Sequence, residues 1–113
     1  MGESITRVAD FLERNDAYMS IEARSMDICS EAGEVAKEVL AATEYGRRPF
    51  QAAAAPGLAG EIGDLLYSVL ALAAEVGIDP EAALDAALDK YQKRLAGGSM
   101  GSGGSAGSVG AAG

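Results

Sequence analysis

The run Leu58-Ala59-Gly60-Glu61-Ile62-Gly63-Asp64-Leu65-Leu66-Tyr67-Ser68-Val69-Leu70-Ala71-Leu72-Ala73-Ala74-Glu75-Val76 decides the fold. Leu65, Leu66, Tyr67, Val69, Leu70, Leu72, Ala73 and Val76 place apolar groups at nearly every angle around a helical axis. A helix that is apolar all round is buried all round. In so short a chain that implies a central position between neighbouring helices and a second subunit to complete the cover. The expected class is therefore all-α, a bundle of four to five helices completed by dimerisation.

Outward from this run, Gly77-Ile78-Asp79-Pro80 reads as a stop and restart, with Asp79 as N-cap and Pro80 at the first position of a fourth helix. Leu84, Leu88, Tyr91 and Leu95 follow at helical spacing and are expected to be buried. On the other side, Glu44 to Gly57 holds Gly46, Pro49 and Pro56 and reads as a connection, with a turn of helix possible over Gln51–Ala55. A long helix from about Ser20 to Thr43 precedes it, with Ile21, Met26, Ile28, Ala32, Val35, Val39 and Leu40 at helical period. A short amphipathic helix from Ser4, the expected N-cap, to Asn15 begins the chain. Residues 1–96 thus form one all-α domain. Residues 97–113 are Gly/Ser-rich and are expected to be a flexible tail.

Composition narrows the function. A net charge of −8 argues against nucleic acid or an anionic membrane as partner. The absence of histidine excludes His-based metal sites and any Ser-His or Cys-His nucleophile. The single cysteine, Cys29, allows no intrachain disulfide, fits a reducing, cytoplasmic setting, and is expected to be a small buried hydrophobe. No apolar run is long enough to span a membrane.

What stands out is the acids. Ser30-Glu31-Ala32-Gly33-Glu34-Val35-Ala36-Lys37-Glu38 carries one Glu-x-x-Glu pair, and Glu61-Ile62-Gly63-Asp64 carries a Glu-x-x-Asp pair. Residues at i and i+3 of a helix project from one side, so each pair offers two carboxylates one turn apart. Two such pairs brought together make an all-oxygen cage for a hard cation such as Mg²⁺ or Mn²⁺. At about 100° per residue, Asp27, Glu31, Glu34 and Glu38 fall within an arc of about 60°. An acidic stripe of this kind is commonly just a solvated face. Asp64 speaks against that reading, because Leu65, Tyr67 and Ala71 surround its angular position, and a buried carboxylate needs a partner or a metal.

Glu31-x-x-Glu34, Glu61-x-x-Asp64-Leu65-Leu66-Tyr67, Gly77-Ile78-Asp79-Pro80-Glu81-Ala82-Ala83-Leu84 and Lys90-x-x-x-Arg94 together resemble the all-α nucleoside triphosphate pyrophosphohydrolases of the MazG type. The resemblance covers roughly Met26 to Leu95. It implies a homodimer or homotetramer and Mg²⁺-dependent cleavage of a nucleoside triphosphate to the monophosphate and pyrophosphate. By position it makes Glu31, Glu34, Glu61 and Asp64 metal ligands. Many members carry a second acid just before the first motif Glu; here that place is Ser30, and Asp27 or Glu38 could substitute. Glu34 and Glu38 are the candidates for general base, as carboxylates not fully engaged in ligation. Lys90 and Arg94, at i and i+4, are candidates to bind the substrate phosphates. Phe11, Tyr18 and Phe50 could stack on a base, although packing is the plainer role for each. A phosphoribosyl-ATP pyrophosphohydrolase and a non-catalytic helical dimerisation module are the competing readings.

Overall fold

Gly77 and Pro80 set helix ends where the sequence places them. The computed structural model describes residues 2–98. Over these it comprises α1 (Glu3–Asn15), α2 (Ile21–Ala42), a 3-10 turn (Ala52–Ala54), α3 (Leu58–Val76) and α4 (Pro80–Gly97). The chain divides after Asp79 into two compact units, the first holding α1 to α3 and the second α4. Of the expected tail, residues 99–113 lie outside the described residues, and Gly97 closes α4 one residue past the expected boundary.

Ser20 caps α2 by accepting a hydrogen bond from the Ala23 N–H at 3.1 Å. Gly77 ends α3 in the left-handed region at φ 75°, where a side chain would be strained, and the Ile78 N–H closes the turn onto the Ala73 carbonyl. Ser4 does not cap α1. The helix starts one residue earlier, and its cap position is Gly2, which offers no side-chain acceptor.

In the first unit, α3 packs against α1 on one side and α2 on another, and the two interfaces differ in kind. Between α1 and α3 lies an apolar core of Ile5, Leu70 and Ala73, with Val8 and Ala74 against it. Leu12 is fully buried. Full burial of an Ile or Leu side chain such as these contributes about 1.5–3 kcal/mol. Toward α2 the interface is polar. Two of the three largest fully buried side chains among the described residues, Arg24 and Ser68, belong to it.

Several sequence expectations fail here. Within the first unit, α1 and α2 leave part of α3 open: Ile62, Leu66, Val69 and Val76 are exposed in the single chain, where the sequence reading invoked a second subunit for cover. The same holds for Leu84, Leu88, Tyr91 and Leu95 of α4. Cys29 is exposed rather than buried. On α2, Ile21, Met26, Ala32 and Leu40 are also exposed, because α2 turns a different stripe toward α3. Dense apolar periodicity marks surfaces that gain from cover without saying that one chain supplies it.

Candidate metal centre

The stripe that α2 presents to α3 is the acidic one. Asp27 Oδ2 accepts a hydrogen bond from the Ser68 hydroxyl at 2.5 Å. Glu31 meets Glu61 and Asp64. The Glu38 carboxylate lies against Gly57, where an added Cβ would come within 3.1 Å of it. From Asp27 the contacts advance four and then seven residues along α2 while receding four and then seven from Ser68 along α3 and its cap. The helices therefore run antiparallel in a regular register, and multiples of the helical repeat keep every contact on one seam.

At the centre of the seam, one carboxylate oxygen from each of Glu31, Glu61 and Asp64 lies within 4.8 Å of the others. Glu31 and Glu61 are half-buried, while Asp64 is exposed and not buried as its apolar neighbours suggested. Partial loss of solvent is the first cause that raises the Glu31 carboxyl above its ordinary pKa, followed by the like charges of Asp64, Asp27, Glu61 and Glu34. An all-oxygen donor set with unrelieved negative charge suits a hard divalent cation.

Three of the four expected ligands are thus brought together, and Glu34 is not among them. One turn along α2, it is near enough to raise Glu31, and its Oε1 lies 3.7 Å from the Lys37 ammonium. That pair is solvent-exposed, with Lys37 at 73%, and exposed pairs hold their partners only weakly. Glu34 is accordingly free to change rotamer. Glu38, half-buried at the cap of α3, places its charge where the helix dipole favours an anion. Lys90 and Arg94 belong to the second unit, where they stand 5.2 and 5.7 Å from the centre of the Tyr91 ring. The aromatic candidates Phe11, Tyr18 and Phe50 are all exposed, and Phe11 meets Tyr67 edge-on at 5.8 Å.

Sequence reasoning missed what lies beside the carboxylates. Arg24, 2% exposed, donates from Nε and Nη2 to the two oxygens of Glu75 at 3.0 and 2.9 Å. Nη2 also donates to the Ala17 carbonyl at 3.3 Å, and the Met19 N–H donates to Glu75 at 3.1 Å. The hydrogen bonds from Arg24 are the largest influence holding the Glu75 carboxyl below its ordinary range, against burial that pushes it up. The reciprocal bond raises Arg24. A signal was available in the sequence. Glu75 is the sole charge between Asp64 and Gly77 in an apolar run, and a carboxylate in that setting needs a cation.

This geometry accompanies a match to a known family. The model of the MazG nucleotide pyrophosphohydrolase domain matches residues 20–96, which span α2, α3 and nearly all of α4. No curated protein and no solved structure matches the chain. Since the family match covers most of its length, the chain belongs to the MazG nucleotide pyrophosphohydrolase family.

Proposed function

We propose that this member of the MazG family hydrolyses nucleoside or deoxynucleoside triphosphates to the monophosphate and pyrophosphate with Mg²⁺, or Mn²⁺ in its place. The observation that carries the proposal is the meeting of Glu31, Glu61 and Asp64 from two helices within 4.8 Å. In this reading those three residues hold the cation, and Glu34 completes the set or acts as general base after a rotamer change. Glu38 is the second candidate for the base. When bound, the cation supplies charge neutralisation of the triphosphate and a more acidic water. The chain's own part is to fix the carboxylates across the α2–α3 seam and to accept a proton from the attacking water at a carboxylate oxygen. Lys90 and Arg94 are retained as phosphate ligands on the family pattern.

The proposal includes a soluble, cytoplasmic protein that self-associates as a dimer or tetramer. It is supported by the open apolar residues Ile62, Leu66, Val69 and Val76, and no helix among the described residues is long and apolar enough to cross a membrane.

Pyrophosphate release from a panel of ribo- and deoxynucleoside triphosphates and phosphoribosyl-ATP, with and without Mg²⁺, tests the activity. Turnover is expected on one or more triphosphates only with metal, and Glu61→Gln or Asp64→Asn is expected to abolish it together with the rise in melting temperature that Mg²⁺ produces. A wild-type chain that neither releases pyrophosphate nor gains stability from Mg²⁺ or Mn²⁺ would refute the proposal and favour a non-catalytic dimerisation module.

A further inference from the structure

We propose that Asp27 and Ser68 are positioning residues: their hydrogen bond across the α2–α3 seam sets the reach of Glu31 to Asp64 one turn away. This rests on the metal reading of the carboxylates. Its physical basis is the imbalance of forces along the seam. Where Glu31 faces Glu61 and Asp64, like charges push α2 and α3 apart. The repulsion must be countered by attractive contacts close by, since a helix is stiff over one turn but not clamped by contacts far away.

Asp27 lies four residues before Glu31 on α2, and Ser68 four residues after Asp64 on α3, so their bond is the adjoining rung. It is built to hold position. Ser68 is 1% exposed, and its hydroxyl makes a charge-assisted bond to Asp27 Oδ2, stronger than one between neutral groups. The same oxygen faces Arg24 Nη1 at 3.6 Å. Arg24 is in turn immobilised by Glu75 and the Ala17 carbonyl, with the Tyr67 ring 5.7 Å from its centre. Asp27 is thereby held from both helices. With that oxygen engaged by Ser68 and facing Arg24, the role assigned to Asp27 is to orient the ligand one turn on.

The test is Mn²⁺ titration of the full chain by electron paramagnetic resonance, alongside melting in chelator and pyrophosphate release across Mg²⁺ concentrations. Ser68→Ala is expected to weaken Mn²⁺ binding about tenfold, the lower end of what loss of an outer-shell partner causes. Its turnover should return at saturating Mg²⁺, a rescue that simple destabilisation would not give. Asp27→Asn keeps an acceptor for the Ser68 hydroxyl but loses the charge assistance, so it should fall between wild type and Asp27→Ala, which also serves if Ser68→Ala folds poorly. If Ser68→Ala binds Mn²⁺ like wild type, or Asp27→Asn loses as much as Asp27→Ala, the positioning role is wrong while the metal reading stands. If the wild-type chain binds no Mn²⁺, both fall together.

Discussion

Replacing Glu75 by Gln leaves a guanidinium buried without its counter-charge, and the structure sets the size of the effect. The Arg24 and Glu75 side chains are 2% and 4% exposed, and three hydrogen bonds at 2.9–3.1 Å converge on the carboxylate. Gln retains one acceptor oxygen and turns an NH₂ donor toward Arg24. Breaking a buried pair from one side costs about 3–5 kcal/mol. We take about 3 kcal/mol, because in a chain this small the covering layer is thin. Against a total of about 5–15 kcal/mol for a domain of this size, that is a large share. The melting temperature should fall by about 12–24 °C. Urea denaturation followed by circular dichroism at fixed protomer concentration gives the free energy directly. The double variant Arg24→Met with Glu75→Leu should recover most of the loss, since apolar replacement of the whole pair is often neutral. The pH dependence carries a sign. Glu75 is depressed in the fold, so its contribution is complete above the unfolded value of about 4.3 and is lost as pH falls through the lower folded value. The gap between wild type and Glu75→Gln must therefore narrow in acid. A loss below about 1 kcal/mol, with no coupling in the double variant, would show the pair to be solvent-screened and the reasoning wrong.

Three further outcomes follow from the seam. Glu31 is raised, so its ionised form opposes folding at neutral pH; in chelator, Glu31→Gln should melt at or above the wild-type temperature while losing all stabilisation by Mg²⁺. For the same reason, lowering the pH toward the raised value should relieve the metal-free wild type and weaken Mn²⁺ binding, and opposite trends in titrations at several pH values would contradict the crowding. At Gly57 the backbone is ordinary, φ −87° and ψ −5°, so Ala should gain about 0.4–1 kcal/mol from the unfolded state, but its Cβ would displace Glu38. Chemical denaturation should show that gain only in a Glu38→Ala background; equal effects in both backgrounds would mean that Glu38 does not rest there.

The sequence by itself determined what is local. Gly77 and Pro80 set helix ends through a positive φ and a missing N–H, and the i, i+3 spacing put paired acids on one side of each of two helices. These are interactions within a turn or two, and residue types alone carry them. Only the tertiary structure decided that the acidic stripe of α2 meets α3. Tertiary contacts likewise brought Glu31 together with Glu61 and Asp64 but left Glu34 aside, and they buried Arg24 against Glu75. Those outcomes depend on the register between two helices separated by a long connection. Many weak contacts set that register jointly, and helical periodicity gives each helix its faces without assigning them partners.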